Sequence, residues 1–230
     1  MDDIHTLHTQ YATEDRLEIR RAVWQPGPEG NPSTAALDAI LRSGAADVLE
    51  LGCGTGAFAA RLAAVGSMRV TATDASARMV QVTRDRGLEA QVVDAQALPF
   101  ADDSFDAVAA LWMLYHVPDR QQALAEIRRV LRPGGVFAAI TVGTDHLADL
   151  RTEAGGRPWE PAFSSENGPE QLAPHFADVT AEHFHTRAYF ENRDAALEYL
   201  HTMPDDIAWD LPEFAEPRGF GGHVTLFTCR

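Results

Sequence analysis

Val48-Leu49-Glu50-Leu51-Gly52-Cys53-Gly54-Thr55-Gly56 is the stretch on which the reading of this chain turns. An apolar run interrupted by one acidic residue leads into three glycines separated by single residues, and residues 57–65 follow with helical periodicity. The pattern predicts a strand, a tight turn and a helix N-terminus in succession. Glycine lets such a turn adopt φ > 0 and lets the backbone approach a ligand closely. The first helical N–H groups have no partner inside the helix and point back at the turn. A purely structural turn between strand and helix has the same pattern, so the flanking elements decide.

On the N-terminal side, residues 46–51 read as a strand buried on both faces, because the run is continuously apolar rather than alternating. Before it, Asn31 and Pro32 open a helix over 32–42 that Gly44 stops. Residues 14–24 read as a short helix with Leu17, Arg20 and Trp24 on one face, broken by the Pro/Gly-containing run 25–30; residues 1–13 are polar. On the C-terminal side, residues 58–65 form a helix ended by Gly66, and residues 68–73 a strand ending at Asp74. Ser76 caps a helix over 77–86 stopped by Gly87, and residues 90–93 make a third strand ending at Asp94. Residues 105–111 are a fourth strand. Asp119 caps a helix to Leu131 whose apolar positions follow the helical period, and the turn 133–135 leads to a fifth strand, 136–141. Strands alternating with helices in this rhythm predict an α/β fold with a parallel sheet. Beyond it, a helix over 145–151 capped by Asp145, a short helix at 169–173, a strand over 179–189, a helix from Asn192 to 201 and a last strand over 223–229 are expected, with 203–222 as an acidic, aromatic-bearing connection.

With 230 residues and 45% hydrophobic content, the chain can bury a full core as one domain with additions. A formal net charge of −15 argues against nucleic acid or an anionic membrane as partner, since neutralising phosphates takes basic residues. The two cysteines, Cys53 and Cys229, have no metal-ligand spacing and imply no disulfide framework. The acidic start lacks the apolar run of a signal peptide, and no segment is long and apolar enough to span a bilayer. A cytoplasmic setting is the expectation.

Three carboxylates fall at three strand ends: Glu50 two residues before the first glycine, Asp74 after the second strand and Asp94 after the third. Open α/β sheets bind ligands at that edge. Gly52, Gly54 and Ala57 also satisfy the looser G-x-G-x-x-G/A pattern of a nicotinamide site. A pyrophosphate gains nothing from Glu50 beside the turn, however, whereas a cationic, amino-acid-bearing nucleoside tolerates it. Asp74 is placed to accept from both ribose hydroxyls, and Asp94 to accept from an exocyclic amine. The acidic ring favours S-adenosylmethionine (SAM).

ELGCGTG at 50–56, TATDAS at 71–76, VVDAQALPF at 92–100, DDSFDAV at 102–108 and LRPGG at 131–135 resemble, in order, the class I SAM-dependent methyltransferases, and within them the small-molecule type 11 group. MLYHVPD at 113–119 and SENG at 165–168 are also similar. The resemblance implies a Rossmann-like three-layer fold with a seven-stranded, mostly parallel sheet, the last strand inserted antiparallel. It implies one domain in which residues 1–44 form an N-terminal helical lid, 45–141 the SAM-binding core and 142–230 the substrate-side segments and final strands. By the same match Gly52, Cys53, Gly54 and Gly56 line the methionine part of SAM, and Asp74 holds the ribose with Ala75 and Met79 nearby. Asp94 and Ala95 meet the adenine, and Leu111 touches the cofactor at the end of strand four.

The expected reaction transfers a methyl group from SAM to a small molecule by direct displacement, leaving S-adenosylhomocysteine. The protein is expected as a monomer or homodimer. His116, after strand four, is the candidate general base, with simple packing as its competing role. As a base it would titrate near neutrality. Trp112, Tyr115 and His146 are candidate substrate contacts, and Arg20 a candidate partner of the SAM carboxylate. Trp24, Trp159, Trp209 and Phe214 are further aromatic candidates for the pocket wall, and several of the aromatics belong to the ordinary core. Cys53 reads as a small turn residue, since nothing basic flanks it to lower its pKa. Three other functions compete: SAM binding without methyl transfer, as in a cyclase on the same fold; a nicotinamide oxidoreductase; and a nucleic-acid methyltransferase. The last is disfavoured by the charge and by Leu111-Trp112-Met113-Leu114 where a base-flipping enzyme would carry a polar-Pro-Pro-aromatic loop.

Overall fold

The computed structural model of the protein describes residues 19, 20, 22–203 and 207–230. In chain order the elements are β1 (Trp24–Gln25), α1 (Pro32–Ser43), β2 (Asp47–Leu51), α2 (Ala57–Ala64), β3 (Arg69–Asp74), α3 (Ala77–Asp85), β4 (Ala90–Val92) and β5 (Phe105–Leu111). A single 3₁₀ turn (Leu114–His116) is followed by α4 (Arg120–Val130), β6 (Leu131–Val142), α5 (Ala148–Glu153), α6 (Gly168–Leu172), β7 (Val179–Phe190), α7 (Arg193–Leu200) and β8 (Arg218–Cys229).

The strands form one sheet in the order β1-β7-β8-β6-β5-β2-β3-β4. β4, β3, β2, β5 and β6 run parallel, and β8 lies antiparallel between β6 and β7. The last strand is thus inserted antiparallel, as expected. The sheet has eight strands among the described residues rather than seven, because Trp24 and Gln25 add an edge strand by pairing with Ala188 and Arg187. That pairing corrects the expected helix over 14–24: Trp24 is extended, and only the described residues 19, 20 and 22 are helical. Leu17 and the rest of that stretch lie outside the described residues.

Local chemistry explains the helix boundaries. Asn31, Ser76, Asp119 and Asn192 each accept a backbone N–H in the first turn of α1, α3, α4 and α7. One expected cap fails. Asp145 does not open α5; the helix begins three residues later, behind Leu147 in a left-handed conformation (φ 56°), and the Asp145 carboxylate instead accepts from His223 Nδ1 at 2.8 Å. β6 starts at Leu131 directly after α4, earlier than expected, and β8 starts at Arg218 rather than 223.

Two apolar layers cover the faces of the sheet. On one, Leu49, Val108, Phe137 and Phe227 pack against Leu124, Ile127 and Val130 of α4. On the other, Val48, Ala107, Ala109 and Ile140 pack against Ile40 of α1 and Phe58 and Leu62 of α2. Their alternation along each central strand follows from the two-residue period of side chains, and burial on both faces from helices on both sides. This layering fixes the carboxyl ends of β2, β3, β4 and β5 along one edge.

Candidate functional site

β2 ends at that edge in the glycine turn, whose Gly52, Gly54 and Gly56 all have positive φ (68°, 55° and 75°). The turn is tied to its neighbour strand: Cys53 N–H donates to Thr73 O (2.9 Å), and the Thr73 hydroxyl donates to Glu50 O (2.9 Å). Asp74 completes the tie. One of its carboxylate oxygens accepts from Gly54 N–H (2.9 Å) and the other from Ser76 N–H (2.8 Å). The glycines serve two purposes. A Cβ on Gly56 would lie 2.8 Å from the Thr83 side chain, so that glycine allows α2 and α3 to meet closely, whereas a Cβ on Gly54 would meet open space. Gly54 therefore presents bare backbone to the cavity.

The cavity, of about 890 Å³, opens over the carboxyl ends of β2–β5. Of the residues singled out in the sequence, Glu50, Gly52, Cys53, Gly54, Asp74, Ala75, Asp94, Ala95 and Leu111 lie on its wall. Arg20, Trp112, Tyr115, His116 and His146 lie there too, along with the aromatic candidates Trp24 and Trp159. Gly56 and Met79 do not; Met79 is fully buried in the α3 packing. Trp209 is a core residue under Arg151, and Phe214 packs in the same apolar cluster. The side chain of Asp94 is exposed, and both of its oxygens accept from the Gln96 amide. Tyr115 meets Trp159 edge-on at 5.2 Å, and Trp24 tilts over His146 at 4.8 Å.

Burial governs the titration of the site. It pushes the Asp74 carboxyl up, against the lowering effect of the two amides that hold it. It raises the Cys53 thiol to about 12, helped by the nearby Glu50 and Asp74 charges, which makes this cysteine a packing residue and not a nucleophile. His116, in the 3₁₀ turn after β5, is brought down to about 4, first by burial and then by the Arg20 cation. At that value the imidazole is neutral throughout the physiological range, not poised near neutrality as a general base would be. His146 is also held at about 4 by burial, and its Nδ1 is engaged by the backbone of His223 at 3.0 Å.

The cavity wall also carries residues that had no motif to announce them: Arg151, Thr186, Tyr199 and Met203. Arg20 belongs with them, donating from Nε to the Thr202 hydroxyl at 2.9 Å and from Nη2 to the Thr202 carbonyl. Arg151 donates to Arg157 O (2.8 Å) and to the Met203 sulfur (2.9 Å), and its guanidinium lies over the Trp209 ring. Periodicity could have marked Tyr199 as an inward position of α7. Nothing local could have placed α5, β7 and α7 around one cavity.

Comparison with known proteins agrees with this geometry. Residues 49–139 match the family model of the type 11 methyltransferase domain. Over 99 residues the chain is 46% identical to the methyltransferase GfsG of Streptomyces halstedii, covering 40% of this chain and 36% of that one. Over 99 residues it is 41% identical to the 27-O-demethylrifamycin SV methyltransferase of Amycolatopsis mediterranei, with the same coverage. The matches thus span little more than a third of the length of these curated relatives. In three dimensions it is similar to the [4+2]-cyclase SpnF, with a TM-score of 0.57 at 20% identity over 86% of this chain and 79% of that one; this likeness concerns the fold. The glycine turn and the strand-end carboxylates Glu50, Asp74 and Asp94 all lie within the residues that match this methyltransferase domain.

Proposed function

We propose that the protein is an enzyme that transfers a methyl group from SAM to a small-molecule acceptor by direct displacement. The observation that carries this reading is the convergence of Gly54, Asp74 and Asp94 on one cavity at the carboxyl edge of the sheet. The residues fit the donor. Gly54 leaves the cradle that a Cβ would fill, and each Asp74 oxygen, after its one amide, retains a lone pair for a ribose hydroxyl. Asp94, on the wall beside Ala95, offers a carboxylate to an amine. The acidic wall suits a molecule that carries a sulfonium and an ammonium. The volume is ample for donor and acceptor together, since cavities for one drug-sized ligand start at roughly 300 Å³.

When bound, SAM supplies a methyl on a positively charged sulfur that leaves as a neutral thioether once an acceptor atom has taken the methyl. The protein's own task is then positional. Asp74 and the turn hold the donor, and Trp24, Trp112, Tyr115 and Trp159 form the wall that excludes water and orients the acceptor. Holding reactants at roughly 3 Å in line supplies much of the acceleration in such a transfer. His116 stands on the same wall as a neutral imidazole able to accept a hydrogen bond from an acceptor hydroxyl. With its conjugate acid near 4 it is a weak base, so its role here is orientation more than proton abstraction. We assign Arg20 to the donor's carboxylate.

Calorimetry with SAM, S-adenosylhomocysteine and NAD tests the cofactor, and release of S-adenosylhomocysteine on incubation with candidate acceptors tests the transfer. Binding of NAD with none of SAM would overturn the proposal. A second reading, SAM binding without methyl transfer, has the SpnF likeness in its favour, since that neighbour is a cyclase on the same fold. A protein that binds SAM and never releases S-adenosylhomocysteine with any acceptor would favour it.

A further inference from the structure

The turn that follows β6 gathers a second group of titratable side chains, outside the cavity. Gly143, Thr144 and Asp145 leave β6 beside β8, and Gly143 N–H donates to His223 O at 3.0 Å. The loop 164–168 is pinned to the same place: Ser165 N–H donates to Val142 O at 3.0 Å, and the Thr225 hydroxyl to Ser165 Oγ at 2.6 Å. These ties bring one nitrogen of His223 and one carboxylate oxygen each of Asp145 and Glu166 within 4.8 Å of one another. His223 Nδ1 and Asp145 Oδ1 are 2.8 Å apart. Two further features prepare the spot. A Cβ on Gly143 would lie 2.3 Å from His223 Nδ1 and 2.6 Å from Asp145 Oδ1, so the glycine leaves room for both donors over the turn. Its φ is outside the left-handed region, so space and not backbone conformation calls for glycine here. The His223 ring is also held from behind: Nε2 lies 3.1 Å from His183 Nδ1, and the ring stacks on His185 with centroids 5.5 Å apart.

We propose that Asp145, Glu166 and His223 form a site for a divalent transition-metal ion. An imidazole nitrogen beside two carboxylates suits zinc or manganese better than magnesium or calcium, which take oxygen ligands. Zinc bonds its ligands at roughly 2.0–2.2 Å, which sets neighbouring donors roughly 3.3 Å apart in a tetrahedral site. His223 and Asp145 already stand near that separation, and Asp145 is exposed and free to turn toward the ion. The Glu166 carboxylate is aimed at the turn by Thr144 N–H at 3.1 and 3.2 Å, and a carboxylate keeps further lone pairs after such a bond. A metal-ligating histidine usually gives its other ring nitrogen to a partner that fixes its orientation, the part His183 Nδ1 fills here. The proton that bridges His223 Nδ1 and Asp145 is the one the ion displaces. Val142 and Val224 line the cavity, and His223, next to Val224 on β8, points to the opposite face of the sheet. The ion therefore sits behind the cavity wall, where it fastens the end of β6, β8 and the loop 164–168 to one another.

The test uses the full chain without an affinity tag, stripped of metal by a chelator. Calorimetry with zinc chloride is expected to show one ion per chain, with manganese chloride weaker and magnesium chloride weaker than zinc by about tenfold or more. Asp145→Asn, Glu166→Gln and His223→Gln are each expected to weaken zinc by about tenfold or more, the least that losing even a ligand's supporting partner usually costs. Zinc should raise the melting temperature of the wild-type protein and, at the same concentration, leave that of Glu166→Gln unchanged. His183 and His185 are the competing ligands, and zinc binding undiminished in both Asp145→Asn and Glu166→Gln would place the ion on histidines alone and overturn the assignment. Magnesium binding as tightly as zinc would overturn the choice of a transition metal. Absence of stoichiometric zinc binding to the wild-type protein would overturn the site itself, and that measurement stands even if a variant does not fold.

Discussion

Replacing Asp74 by Asn separates its two roles. Its carboxylate accepts from Gly54 N–H at 2.9 Å and Ser76 N–H at 2.8 Å, so it braces the glycine turn against the start of α3. It also lies on the cavity wall where a ribose is proposed. Asn keeps the shape but turns one acceptor oxygen into an NH₂ group, which cannot accept from the amide it then faces. One charge-assisted bond to the backbone is lost, costing the fold about 1.5–3 kcal/mol. Because burial raises the Asp74 carboxyl, removing the charge returns part of that cost, so the lower end is expected. For the ligand, losing a charged acceptor to a ribose hydroxyl costs about 1.5–3 kcal/mol, or roughly 10- to 150-fold in affinity for S-adenosylhomocysteine. Calorimetry measures the second effect and urea denaturation the first. The wild-type protein should also lose affinity on acidification at a pH above the ordinary carboxylate range, in keeping with the raised Asp74. A folded Asp74→Asn protein that is destabilised yet binds within twofold of wild type would show that Asp74 is a brace alone.

The two inner glycines should respond in opposite ways. Gly54→Ala places a methyl in open cavity space and costs the fold only its left-handed strain, about 1–2 kcal/mol, while S-adenosylhomocysteine binding falls by at least tenfold. Gly56→Ala strikes the Thr83 side chain at 2.8 Å and should lower the melting temperature more than Gly54→Ala does. His116→Ala should lower turnover by less than tenfold, and the wild-type rate should be flat from pH 6 to 8, because the imidazole is already neutral; a rate rising through that window would restore His116 as a general base. His116 and His146, both near 4 when folded and about 6.5 when unfolded, take up protons on unfolding between those values. Stability should therefore fall as pH drops from 6.5 to 4, by up to about 3 kcal/mol for each histidine, and a pH series of urea melts measures it.

Much of the donor side was legible in the chain itself. The glycine spacing, the caps Asn31, Ser76, Asp119 and Asn192, and the carboxylates at three strand ends are local features, each decided by residues within a few positions of one another. Parallel strands linked by helices then bring Glu50, Asp74 and Asp94 to one edge with little further information, since right-handed crossovers leave few alternatives. Local reasoning failed where the tertiary partner outbids local preference. Trp24 leaves the helical pattern because β7 offers it a strand edge, and the Asp145 carboxylate pairs with His223 instead of capping a helix. Arg151, Thr186 and Tyr199 come from three elements that share no motif, and they become neighbours because β8 inserts between β6 and β7 and draws α5 and α7 over the cavity. The depressed titration of His116, set by its own burial and by the Arg20 charge, likewise exists only once the chain has closed around that space.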